Sequence, residues 1–122
     1  PGLRVSSMMA PTVVLGPGGD VELVLGSGGS ARIRTSLLQA VSAVVDFGLD
    51  PAAVVGLPRI HWDGAAFQVE PGFSADAVVA LERLGPVNHW SDLNLYFGGV
   101  HAVSPAGHGG GDPRRAGACL NL

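Results

Sequence analysis

The sequence predicts an α+β fold with antiparallel strands. Two hairpin signatures and one strand–glycine turn–helix unit carry that prediction. Pro11 to Leu15 is an apolar, β-branched run that stops at Gly16-Pro17-Gly18-Gly19-Asp20, and Val21 to Leu25 is a second such run. Two runs joined by a Gly/Pro turn make a hairpin. The chain then passes through Gly26-Ser27-Gly28-Gly29-Ser30 into a segment where Ile33, Leu37, Leu38, Val41, Val44 and Val45 recur on one helical face. A helix from Ala31 to Phe47 follows, with Ser30 as its N-cap and Gly48 as its stop.

Asp50-Pro51 predicts a capped short helix reaching about Gly56. Arg59 to Trp62 and Ala66 to Glu70 flank Asp63-Gly64 as a second hairpin. Ser74 caps a helix whose apolar face is Val78, Val79, Leu81 and Leu84, ending at Gly85-Pro86. Asn88 to Tyr96 shows little pattern, Gly99 to Val103 reads as a strand, and Gly107 to Gly111 reads as a flexible loop. Ala116 to Leu120 reads as a final edge strand. No repeat or linker divides residues 1–122, which are expected to form a single segment.

A chain of 122 residues, 47% of them apolar, is long enough for one core. The net charge of -3 excludes the basic stripe of a nucleic-acid-binding domain. All seven basic residues are arginine, a bias expected of a GC-rich, bacterial source. Cys119 is the single cysteine, so neither an intrachain disulfide nor a cysteine metal site is available. Arg32, Arg34, Gln39 and Asp46 interrupt the longest helical stretch, so no membrane span is expected. The four histidines, His61, His89, His101 and His108, have no metal-ligand spacing; neither metal nor cofactor is called for. His61 and Arg59 read as structural, and Asp112-Pro113-Arg114-Arg115 as an internal ion pair anchoring the C-terminal strand. Trp62, Phe67, Phe73, Trp90 and Tyr96 read as core aromatics rather than a base-stacking platform.

The glycine turn carries the most chemistry. A strand running through glycines into a helix exposes backbone N–H groups at the positive end of the helix dipole, which suits an anion. Three readings compete for it. Gly26-Ser27-Gly28-Gly29-Ser30-Ala31 fits a dinucleotide fingerprint, with Asp46 lying 20 residues after Gly26. That acid falls inside the helix, however, and the preceding hairpin is antiparallel where the fingerprint wants a parallel opening. A phosphate loop lacks its Gly-Lys-Ser/Thr. A purely structural tight turn is the second reading.

The third rests on several motifs together: Ser6-Ser7-Met8-Met9-Ala10-Pro11-Thr12, then Leu25-Gly26-Ser27-Gly28-Gly29-Ser30-Ala31-Arg32-Ile33, then Val45-Asp46-Phe47-Gly48-Leu49, then Leu57-Pro58-Arg59-Ile60-His61, and finally Asp112-Pro113-Arg114-Arg115-Ala116-Gly117. In this order they resemble the C-terminal part of the small subunit of γ-glutamyltransferases, members of the N-terminal-nucleophile hydrolase superfamily. The resemblance implies part of an αββα sandwich. It implies that the backbone N–H groups of Gly29 and Ser30 form an oxyanion hole, Ser30 standing where the family has glycine. It also implies that the serines of a Ser-Ser-Met motif hold the substrate carboxylate. Ser6-Ser7-Met8 matches that motif directly with one extra residue before Pro11; anchored on Met9-Ala10-Pro11-Thr12 instead, Ser7 takes the first serine position and Met8 the second.

The family's nucleophile is an N-terminal threonine freed by self-cleavage, with its own amine as base. Thr12 and Thr35 fall inside expected strand and helix, so the nucleophile is expected upstream of Pro1 with the rest of the enzyme. The chain alone is therefore expected to be inactive and to need the remaining small-subunit segment and the large subunit as partners. The expected substrate is a γ-glutamyl amide of the glutathione type. A glutaryl-type acylase and a non-catalytic carboxylate-binding or partner-binding domain are the alternatives.

Overall fold

A computed structural model describes residues 1–120. Seven strands and three helices occur in the order β1 (Thr12–Leu15), β2 (Val21–Gly28), α1 (Arg32–Val45), α2 (Pro51–Val54), β3 (Ile60–Trp62), β4 (Phe67–Val69), α3 (Ala75–Glu82), β5 (Val87–His89), β6 (Gly99–Val103) and β7 (Gly109–Gly110). The fold is α+β with predominantly antiparallel sheets. The larger sheet has the order β1-β2-β6-β7 and the smaller one β3-β4-β5.

Alternation along β2 and β6 decides which face of the larger sheet is covered. Leu23, Leu25, Val100 and Ala102 point to α1, where Ile33, Leu37, Ala40 and Ala43 complete a buried core with Val54 and Val55. The opposite face carries Val13, Val24 and Val103, paired in register across three strands. These three remain 41 to 55% exposed, so the sheet is packed on one side only. Each residue faces opposite its chain neighbour, so an apolar run such as Val21 to Leu25 must supply both faces.

Both hairpins are present, β1 with β2 and β3 with β4. Asp50 accepts from the Ala52 N–H and Ser74 from the Ala77 N–H, as helix caps do. At the end of α1, Gly48 takes a left-handed φ of +66° and its N–H donates to Val44 O.

Several local expectations are corrected. Gly26 to Gly28 are not turn but strand, paired with His101, Val100 and Gly99 of β6. The reversal is confined to Gly29, Ser30 and Ala31. Ser30 does not cap α1: its φ is +56°, Ala31 occupies the cap position, and no side chain accepts there. The glycine loop contains β7, paired with β6. Its lack of side chains is what the packing requires, since a β-carbon on Gly110 would lie 2.6 Å from Val55 Cγ2. Ala116 to Leu120 is not a strand; Ala116 turns at φ +50° and Gly117 N–H donates back to Asp112 O. β5 pairs in parallel with β4, supplied by the segment that showed little pattern. Finally, no residue of α3 is buried, so its apolar face covers the smaller sheet only loosely.

Candidate functional site

Gly29 has a φ of +130° and lies against Gly98, whose own φ is +84°. A β-carbon on Gly29 would come 2.7 Å from Gly98 Cα, and one on Gly98 would come 2.5 Å from Gly28 O. Both positions therefore need glycine, one for each side of a backbone-to-backbone contact. The reversal gives α1 its first bonds, Arg32 N–H to Gly29 O and Ile33 N–H to Ser30 O. No acceptor among the described residues takes the N–H of Gly29 or of Ser30. Two adjacent donors are thus left open where β2 passes into α1.

Arg32 stiffens the turn from the helix side. Its Nε donates to Tyr96 O at 2.9 Å and its guanidinium stacks 4.8 Å from the Tyr96 ring centre. Ser27 on β2 meets Ser36 on α1 at 2.9 Å, so both limbs of the turn are tied to the core.

Ser30 lines a cleft of about 370 Å³ with Ser6, Ser7, Met8, Met9 and Ile33. The substrate-binding candidates and one of the two oxyanion candidates therefore meet in one cleft, although the chain separates them by more than twenty residues. Ser7 Oγ accepts from Met9 N–H at 3.1 Å, which leaves its own O–H free to donate. The cleft holds hydroxyls, thioethers and one aliphatic side chain, and no charged residue. Gly29 does not line it but adjoins Ser30 at its rim.

Behind the turn lies a four-membered ionic cluster. Arg59, Glu70, Asp112 and Arg114 are at most 9% exposed. Asp112 accepts from Arg59 Nη2 at 2.5 Å, from Arg114 Nη1 at 3.2 Å, and from the N–H groups of Val100 and Arg114. Glu70 pairs with Arg114 and accepts from the N–H groups of Arg59 and Asn94. Both guanidinium groups also donate to backbone carbonyls, Arg59 to those of Val55 and Phe97 and Arg114 to those of Val55 and Leu57. Two positive and two negative charges with every group bonded is the arrangement that permits burial of ions. Burial by itself would raise the Asp112 pKa; the Val100 and Arg114 N–H groups and Arg59 outweigh it and hold the carboxyl below its ordinary value. The cluster joins the starts of β3 and β6 to the ends of α2 and β4, and Arg59 within it donates to the Phe97 carbonyl next to Gly98.

The ion pair expected at Asp112-Pro113-Arg114-Arg115 is present, with Arg59 and Glu70 as partners. Arg115 stays outside it and lies over Gly28 and Gly99. His61 is buried and structural, its Nδ1 3.0 Å from Thr35 Oγ1. Burial, with Arg32 and Arg34 nearby, lowers its pKa below the ordinary imidazole value. The aromatics expected in the core are not buried there: Trp62 is 44% exposed and Phe67, Phe73, Trp90 and Tyr96 are half-buried, Trp90 stacking on Tyr96 at 5.0 Å and Trp62 packing on Phe67 at 4.8 Å, while Phe97 is the buried aromatic among the described residues. Among the described residues no group of three His, Cys, Asp or Glu side chains is placed to hold a metal, and no helix is long and apolar enough to cross a membrane.

A family model described as gamma-glutamyltranspeptidase matches residues 1–122. The chain belongs to the γ-glutamyltranspeptidase family. It is 41% identical over 87 residues to the glutathione hydrolase proenzyme of Escherichia coli K12, an alignment covering 70% of the chain and 15% of that protein. The Helicobacter pylori γ-glutamyltranspeptidase T380A mutant superposes with a TM-score of 0.77 at 31% identity, covering 93% of the chain and 64% of the solved one. Cephalosporin acylase from Bacillus halodurans superposes with a TM-score of 0.73 at 29% identity, covering 84% of the chain and 20% of the acylase. The chain thus spans a small part of the curated relatives it matches, which come from bacteria, fungi and animals. The N-terminal-nucleophile hydrolase fold, with its αββα sandwich, follows from family membership.

Two features around the turn escape sequence reasoning. Gly98 as the backing of the turn has no local signal, because it acts through a neighbour nearly seventy residues away. Glu70 looks like an ordinary strand-end acid; only the surplus of buried arginines calls for a second carboxylate.

Proposed function

We propose that this chain is the part of a γ-glutamyl-transferring or γ-glutamyl-hydrolysing enzyme that stabilises the oxyanion and holds the acyl group. The observation that carries the proposal is the pair of open N–H donors of Gly29 and Ser30 at the rim of the cleft shared with Ser6, Ser7 and Met8. Attack on an amide carbonyl puts negative charge on one oxygen, and a preorganised N–H aimed at it lowers the barrier by about 3 kcal/mol. The serine hydroxyls donate to the substrate carboxylate, and Met8, Met9 and Ile33 pack on its aliphatic stem.

The attacking threonine comes from another segment of the enzyme. Thr12 lies within β1, and the Thr35 hydroxyl is engaged by Arg32 O and His61, so neither is a free N-terminal nucleophile. The row Val13, Val24 and Val103 supports a partner layer, namely the second sheet of the sandwich, contributed by the rest of the small subunit and the large subunit. This chain by itself is inactive. The arginine-only basic composition supports a bacterial source.

A glutaryl-type acylase is the second reading. The likeness to cephalosporin acylase favours it, as does the register that puts Met8 on the second serine position.

The complete protein is expected to hydrolyse a chromogenic γ-glutamyl anilide. Replacing residue 29 by glycolic acid turns its peptide N–H into an ester oxygen and adds no β-carbon against Gly98; hydrolysis is expected to fall by about two orders of magnitude while self-cleavage continues, the cleavage reporting that the fold survives. Hydrolysis persisting in that variant would refute the oxyanion assignment, and preference for a glutaryl over a γ-glutamyl anilide would establish the acylase.

A further inference from the structure

We infer that the Ser30 side chain, as distinct from its backbone N–H, selects the acyl group by donating a hydrogen bond to the substrate's carboxylate. The inference rests on the acyl-transfer reading above and names a specificity residue within it.

Every serine and threonine hydroxyl of the chain is hydrogen-bonded within the described residues except two, Ser6 and Ser30. Both line the same cleft. Ser7, the third hydroxyl there, is used only as an acceptor. Three exposed O–H groups thus have no acceptor among the described residues and are available to a ligand, and no carboxylate or cation lines the cleft to compete with it. Such a set suits a group that only accepts, and an ionised carboxylate is such a group. Thioethers and an isoleucine complete the lining, which suits a short methylene stem between that carboxylate and the reacting carbonyl.

Ser30 differs from the other two in its backbone. Its φ of +56° is one of only two positive values at non-glycine residues among those described. Glycine meets that conformation at no steric cost, whereas serine pays for its β-carbon. The hydroxyl is also carried by the residue whose N–H faces the oxyanion. A carboxylate seated on Oγ therefore positions the acyl chain relative to the very residue that stabilises the developing charge, so recognition and orientation share one rigid unit.

The test compares two chromogenic anilides on the complete enzyme. One carries the γ-glutamyl group and the other carries 4-aminobutanoyl, the same acyl group without its α-carboxylate. Ser30→Ala keeps the β-carbon and its strain and removes only the hydroxyl; Ser30→Gly removes both. One hydrogen bond to a charged group predicts that the kcat/KM ratio of the two substrates falls about tenfold or more in both variants, the loss lying in KM. Calorimetry with free glutamate is expected to show the same weakening. A ratio retained in Ser30→Ala overturns the inference, and a change in Ser30→Gly alone assigns the effect to the backbone and also overturns it. If the unaltered enzyme hydrolyses neither anilide, the γ-glutamyl reading on which the inference rests falls.

Discussion

Gly29 and Gly98 meet backbone to backbone, close enough that a β-carbon on either would be in collision. The contact joins the strand that precedes α1 to the one that begins beside the buried ions, and the orientation of the two open N–H groups depends on it.

Gly98→Ala tests that dependence without touching the cleft lining. The methyl group must displace Gly28 O, and the residue must leave or strain its φ of +84°. Strain of about 1 to 3 kcal/mol is expected, together with a rotation of the Gly29 peptide. In the complete enzyme kcat for the γ-glutamyl anilide should fall more than KM rises. Loss of thermal stability with kcat intact would separate the contact from the oxyanion hole.

Asp112→Asn removes one charge from the buried cluster and leaves Arg59 uncompensated. Breaking such a pair costs about 3 to 5 kcal/mol, far more than a surface pair. A drop of several degrees in the unfolding temperature is expected, whereas Asp50→Asn at the exposed contact with His108 should change it little. Equal effects would show that burial does not set the energetics here.

The same carboxyl predicts an acid limb. Its folded pKa lies below the ordinary carboxylate value of about 3.9, so its contribution is fully present above that value and is lost as pH falls through the lower folded one. Urea midpoints recorded from neutral pH down to strongly acid pH should show a steeper decline in the unaltered protein than in Asp112→Asn. Parallel curves would count against this origin.

His61 should titrate below the ordinary imidazole range, because burial and the nearby Arg32 and Arg34 oppose its charge. The neutral ring is the form bound by the fold. Its contribution is present above about pH 6.5 and lost as pH falls through the lower folded value. Imidazole nitrogen shifts from histidine-labelled protein, assigned by His61→Gln, measure this directly; a midpoint at or above the ordinary value would contradict it.

Val24→Asp places a carboxylate in the centre of the uncovered row Val13, Val24 and Val103. If a second sheet covers that row, the assembled enzyme should lose about 3 kcal/mol or more and mature poorly. Unchanged maturation and melting would mean that the face stays in water.

The hairpin turns, the helix face from Ile33 to Val45 and the caps at Asp50 and Ser74 are legible in the sequence because each rests on neighbours within a few residues. The cleft was legible only as motifs, since no periodicity brings Ser6 near Ser30. β5 and β7 were not legible: three residues of β5 and two glycines of β7 have no pattern of their own, and each is a strand because a partner strand offers it hydrogen bonds. Ser30 does not cap α1 for a related reason. Its hydroxyl suits that role, yet the chain must reverse where Gly29 touches Gly98, and the reversal places Ser30 in the left-handed region one position too early to cap.

What the sequence determined by itself was therefore the chemistry available: glycines and a serine between strand and helix, hydroxyls ahead of the first strand, and seven arginines beside ten acids. Tertiary structure alone decided which of them meet. The open N–H pair, the shared cleft and the Arg59, Glu70, Asp112 and Arg114 cluster all join residues distant in the chain, and such contacts form only after the packed core has met the entropy cost of bringing them together.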